Sequence, residues 1–243
     1  MSLGNDAARG KGAPEMSQTA LLVTHGSPSD PDSQERALAV LAEAVNAKLP
    51  GWHVASATLA SEGRLEDEIA RLRHPLIYPF FMAAGWFTGT VLPRRLAPFG
   101  LSPMIPFGIE PTLPDVAAQR LEKTLNDQGW SARETALVVA AHGSARSNRS
   151  ADAALGFSEL MQARFGFREV RTGFVEQDPW LKPAVADVGQ AVCLPFFATN
   201  AGHMLEDVPE ALAEASFSGV VLPAFIDWPE TVDLIAQSLQ SAG

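Results

Sequence analysis

The chain is written twice, and that repetition limits its fold more than any other feature. Residues 20–27 read ALLVTHGS and residues 137–144 read LVVAAHGS, so His25 and His142 stand 117 positions apart. YPFFMAAG (78–85) answers LPFFATNAG (194–202), with Pro79 and Pro195 116 apart. Further on, LAPFGLSPMIPFGIEPTLPDVAAQRL answers LAEASFSGVVLPAFIDWPETVDLIAQSL, with Pro106 and Pro223 again 117 apart. A register held within one residue across three separated motifs defines two halves, 18–127 and 134–243, joined around NDQGWSARE.

Each half alternates strands with helices. ALLVT and ALVVAA are short continuous apolar runs, suited to parallel strands buried on both faces. DSQERALAVLAEAVNAKL and NRSADAALGFSELMQARF carry apolar residues at helical spacing. WHVASATL and REVRTGFV read as second strands, LIYPFF and AVCLPFF as third, SPMIPF and GVVLPAF as fourth. A last helix opens near PTLPD and near DWPET, where an acid and a proline suit a first turn. The expected fold class is α/β, with two similar halves that are each a parallel sheet flanked by helices. Ligands of such sheets bind beyond the carboxyl ends of the strands, where both HGS motifs fall.

A net charge of -10 argues against non-specific nucleic-acid binding, which needs clustered Lys and Arg. No apolar stretch approaches the ~20 residues that span a bilayer, and the polar segment 1–17 lacks the apolar core of a signal peptide and reads as a disordered leader. The single cysteine, Cys193, lies in the apolar run AVCLPFF, where a buried structural thiol is expected. These features fit a cytoplasmic protein.

The two halves serve as controls for one another. In the second, three potential metal ligands follow three successive strands: His142 after LVVAA, Glu176 after TGFV, and His203 after LPFF. Two imidazoles and a carboxylate suit a divalent first-row metal. The first half offers His25, Ala60, and Trp86 or Phe87 at the matching places. There GHMLEDVP has become GWFTGTVLP, one residue longer and without its histidine or acids. His25 then reads as a structural turn residue, with glycine giving backbone freedom and serine capping the helix. His53 and His74 lie beside strand starts on the opposite edge and read as structural or solvated.

HGS after a buried strand, FVEQDPWL, and PFFATNAGHMLEDVP together resemble the sirohydrochlorin cobaltochelatase family of class II tetrapyrrole chelatases, as a duplicated long form covering nearly the whole chain after residue 17. The resemblance implies two parallel α/β halves facing each other across a cleft. It also implies ATP-independent insertion of a divalent metal into sirohydrochlorin or a related tetrapyrrole, in cobalamin or sirohaem biosynthesis. Co2+ is the expected metal, with Ni2+ and Fe2+ as alternatives, and no nucleotide is required. Matched motif by motif, His142, Glu176 and His203 become the catalytic metal-binding set, one site per chain. Asp207, four residues after His203, either orients that imidazole or serves as an acid at a helix N-terminus. Arg146 and Arg149 are candidates for the substrate carboxylates, as are Arg94 and Arg95 in the first half. Trp86, Phe87 and Met82 either wall the flat macrocycle or plug the vacated site. One chain supplies both cleft walls, so a monomer suffices and a homo-oligomer stays open.

Rival functions fit less well. A non-catalytic metal or tetrapyrrole carrier would share the same ligands. A histidine phosphoryl-transfer site commonly has arginine before His-Gly, where Thr24 and Ala141 stand here. No G-x-S-x-G elbow, P-loop or G-x-G-x-x-G fingerprint is present.

Overall fold

A computed structural model describes residues 18–28, 30–144 and 148–243. The expected leader (1–17) and Arg146 lie outside these. The first half runs β1 (Gln18–Thr24), α1 (Pro31–Lys48), β2 (Trp52–Thr58), α2 (Arg64–Leu72) and β3 (Leu76–Pro79). A π-helical turn (Phe87–Val91) then leads into α3 (Leu92–Leu96), and α4 (Leu113–Gln128) closes the half. The second half runs β4 (Ala136–Ala141), α5 (Arg149–Phe165), β5 (Glu169–Phe174), α6 (Leu181–Val185) and β6 (Ala191–Phe196), followed by α7 (Asp207–Glu214), β7 (Val220–Val221) and α8 (Pro229–Ala242).

Every pairing among these strands is parallel, in the orders β2-β1-β3 and β5-β4-β6-β7. β1 and β4 are central, which is why ALLV (20–23) in the one and ALVVAA (136–141) in the other are apolar throughout. Because side chains alternate across a strand, Leu21 and Val23 face one layer and Ala20 and Leu22 the other. The fourth strands are where sequence and structure part. GVVLPAF forms only the two residues of β7, and SPMIPF contributes one isolated bridge, Ile77 to Pro103. Prolines at 103, 106 and 223 cannot donate to a ladder, so pairing stops there.

Three apolar layers result. One lies outside the first sheet, with Leu65, Ile69 and Leu72 of α2 and Leu92 and Leu96 of α3. Another lies outside the second sheet, with Leu181 and Val185 of α6 and Val208 and Leu212 of α7. The largest fills the space between the sheets and draws on α1, α4, α5 and α8 together. Within it the closing helices are exchanged: α8 packs on α1 of the first half, and α4 packs on α5 of the second. Phe107 and Phe225 meet across the boundary with ring centroids 5.4 Å apart. Buried Glu110 accepts hydrogen bonds from Tyr78 (3.0 Å) and from Ser238 on α8 (2.7 Å). Arg120 on α4 pairs with Glu230 on α8 at 2.5 Å. At the chain's end, Gly243 lies against the Gln18 and Trp52 side chains. No helix among the described residues is long and apolar enough to cross a membrane.

Candidate metal centre

Both HGS segments leave a central strand by the same turn. Gly26 and Gly143 adopt φ of +76° and +73°, a left-handed conformation that strains other residues. A Cβ at Gly26 would sit 2.7 Å from Thr58 Cβ, and one at Gly143 would sit 2.6 Å from Gln177 Cγ. Glycine is thus required twice over, by conformation and by space. Asp30 and Asn148 occupy the N-cap positions of the helices that follow. Ser144 donates its backbone N–H to Gln177 Oε1 at 2.7 Å.

The adjoining strand places the carboxylate. The His142 carbonyl accepts from the Glu176 N–H at 3.0 Å, and the His25 carbonyl accepts from the Ala60 N–H at 2.9 Å. Ala60 is therefore the physical counterpart of Glu176. The third position is settled by ring contacts. His203 meets His142 edge-on with centroids 4.4 Å apart, and Phe87 lies 4.0 Å from His25. Phe87, and not Trp86, fills the histidine's place in the first half. Trp86 is 65% exposed and touches Phe87 with ring centroids 5.1 Å apart.

His142, Glu176 and His203 converge, each offering a ligand atom within 4.8 Å of the others, and they form the only such group of His, Cys, Asp and Glu among the described residues. Glu176 Oε2 is 3.5 Å from His142 Nδ1, and Oε1 is 3.3 Å from His203 Nε2. All three side chains are partly exposed, which leaves an ion access. His203 Nδ1 lies 2.7 Å from Asp207 Oδ2. Because a carboxylate only accepts, that contact calls for a proton on Nδ1 and leaves Nε2 facing Glu176. Asp207 is also the first residue of α7, so the orienting role and the helix-terminus role coincide.

The two halves share the space in front of this group. A cavity of about 390 Å³ is lined by Thr24, His25 and Ser27 on one side and by His142, Phe197 and His203 on the other. Burial lowers the His25 pKa, and its buried Nδ1 has no hydrogen-bond partner among the described residues. Phe87, which packs on His25, also lines a larger cavity of about 720 Å³, together with Trp86, Thr90, Ser144 and Arg149. Arg149 reaches across the cleft to donate to the Ala84 carbonyl at 3.0 Å.

Other candidates fall elsewhere. Arg95 is held by Glu66 at 2.6 and 2.7 Å and by the Leu59 carbonyl, so it serves the first half's own loops. Met82, partly buried, packs against the layer between the sheets. His53 Nε2 lies 2.8 Å from Arg71 on the surface, and His74 adopts φ +62° at the turn before β3. Cys193 is fully buried and its thiol is pushed up to about 12, as a structural thiol requires. Phe197 and Gln177 were not singled out in the sequence. Both adjoin recognised motifs, and only the fold turns them toward the site.

The profile of the CbiX family matches this chain twice, over residues 19–124 and 136–241. A curated relative, the probable sirohydrochlorin cobaltochelatase of Halobacterium salinarum, is 24% identical over 223 residues, covering 79% of this chain and 76% of its own. Among solved structures, CbiX, the terminal enzyme for biosynthesis of siroheme in denitrifying bacteria, is 39% identical with a TM-score of 0.85, over 93% of this chain and 100% of that one. SirB from Bacillus subtilis with Fe3+ shares the fold at 16% identity and a TM-score of 0.71, over 92% and 94% of the two chains. The chain belongs to the CbiX family of sirohydrochlorin chelatases.

Proposed function

We propose that the protein inserts a divalent metal into sirohydrochlorin or a closely related tetrapyrrole, using one metal site, in the second half (134–243). The first half (18–127) supplies the facing wall of the cleft. The observation that carries this reading is the convergence of His142, Glu176 and His203 at the mouth of a cavity shared by both halves. The metal is a substrate here. Two neutral imidazoles and one carboxylate offset half the charge of a dication and hold it without closing its coordination sphere, so that pyrrole nitrogens can complete it.

Insertion also requires two pyrrole N–H protons to leave. With Nδ1–H committed to Asp207, His203 presents only Nε2 to the cleft, and that atom serves as a ligand. His142 and Glu176 are then the groups placed to accept those protons. The flat macrocycle suits the larger cavity, where Trp86 and Phe87 offer an aromatic face and Arg149 a cation for its carboxylates.

Co2+ is the metal expected from the family resemblance and from the name of the Halobacterium salinarum relative. One observation favours Fe2+: the 39% identical relative is named for siroheme, an iron tetrapyrrole. Anaerobic insertion of each metal into sirohydrochlorin, followed by absorbance without nucleotide, decides between them. Turnover should fall by on the order of 100-fold or more in His203→Ala and Glu176→Ala, in the range seen when a group acting in the transition state is removed. It should be largely kept in His25→Ala. Stoichiometric metal binding with no turnover for any of cobalt, iron or nickel would leave a carrier in place of an enzyme.

A further inference from the structure

The loop that delivers His203 is held from three sides. Phe225 and Ile226 donate backbone N–H groups to the Phe197 and Ala198 carbonyls at 3.0 and 2.9 Å. The Asn200 side chain donates to Asp227 at 2.6 Å. The third hold comes from the other half of the molecule. Gln34, in the first turn of α1 and only 6% exposed, donates from Nε2 to the Asn200 carbonyl at 2.9 Å. That carbonyl lies three residues before His203.

The same device recurs across the pseudo-symmetry. Arg149, in the first turn of α5, donates to the Ala84 carbonyl at 3.0 Å. Ala84 lies three residues before Phe87, and Ala84 and Asn200 are 116 positions apart, like Phe87 and His203. Each half thus grips, at the equivalent carbonyl, the loop that carries the other half's third site residue. Only one of those loops still ends in a metal ligand.

We propose that Gln34 is a positioning residue for metal insertion: from the half that has no complete ligand set, it fixes the height and angle at which His203 meets the ion. This rests on the metal-centre reading above. A buried amide–carbonyl bond to a short loop has one geometry, so it restricts the backbone that sets the imidazole. Groups that orient metal ligands without touching the metal commonly change metal affinity by 10–100-fold. The position also gives the first half a task that survives the loss of its own ligands.

The test is Co2+ titration of the full chain by calorimetry and by the visible ligand-field spectrum, alongside the metal-free thermal midpoint. Gln34→Met keeps the side chain's volume and removes the donor, and Gln34→Glu keeps its shape and removes the donor. Lys48→Met breaks the surface pair to Asp233 on α8 without touching the loop. Both Gln34 variants should weaken Co2+ binding about tenfold and shift the ligand-field bands, while Lys48→Met changes neither. If one Gln34 variant does not fold, the other carries the comparison. Native affinity and spectrum in a folded Gln34 variant, with only a lowered thermal midpoint, would overturn the proposal and leave an ordinary bridge between halves. Identical Co2+ binding by native protein and His203→Ala would instead overturn the metal-centre reading beneath it.

Discussion

At the scale of single residues, the informative comparison is between positions that began as copies. His25 and His142 share a strand end, a left-handed glycine and a carbonyl that receives the neighbouring strand, and differ in what surrounds their rings. One faces a carboxylate and a second imidazole. The other lies against Phe87, with burial holding its pKa down. Chemistry here is set by neighbours more than by the motif. Asp207 shows how far that extends: its 2.7 Å contact fixes which nitrogen of His203 faces the site. Asp207→Asn should therefore weaken Co2+ binding by about tenfold, as seen for other carboxylate–histidine–metal arrangements. The metal-free thermal midpoint should move by no more than a degree or two, because the carboxylate is 46% exposed and surface ion pairs contribute little. Equal Co2+ affinity in the two proteins would reduce Asp207 to a helix-terminus acid.

At the scale of elements, the strands and long helices were legible because their periodicity is local. The central strands read as unbroken apolar runs, and α1 and α5 as amphipathic stretches. The convergence of His142, Glu176 and His203 was legible for another reason: comparing the halves exposed which strand ends carry residues able to bind a metal. Three features were not. The segment after Trp86 forms the π-helical turn Phe87–Val91, a wide turn that its residues do not announce. The fourth strands shrank because prolines outweighed their β-branched residues. The packing of α6 on β5 depends on a contact with no sequence pattern. A Cβ at Gly173 would lie 2.6 Å from Leu181 Cα and 2.7 Å from Ala184 Cβ. Gly173→Ala should therefore cost ~1–3 kcal/mol through overpacking, read as a lower urea midpoint with an unchanged m-value. An unchanged midpoint would mean that α6 yields freely, and that Glu176 beyond the end of β5 is held by its loop alone.

At the scale of the whole molecule, duplication suggested two bodies facing each other, and the packing is more entangled than that. The layer between the sheets takes α8 from the second half onto α1 and α4 from the first half onto α5, with Glu110, Tyr78 and Ser238 joined inside it. No sequence pattern could assign those partners, because every one of these helices has an apolar face and the choice is made by long-range geometry. Neither half encloses the layer between the sheets by itself, so the halves should melt together. Calorimetry should give one transition with calorimetric and van't Hoff enthalpies equal within error. Two resolved transitions would mean that the exchanged helices add little to either half.

The seat of Gly243 against Gln18 and Trp52 has a consequence for how the chain is strung. The described residues close nearly into a ring, and the exposed segment around Ser131–Glu134 is the one other joint between halves. A polypeptide that started at that joint, ran through Gly243, returned by a short join to Gln18 and finished at Gln128 would trace the same sheets and the same cleft. Which half is translated first is a property of connectivity alone, and the architecture is indifferent to it.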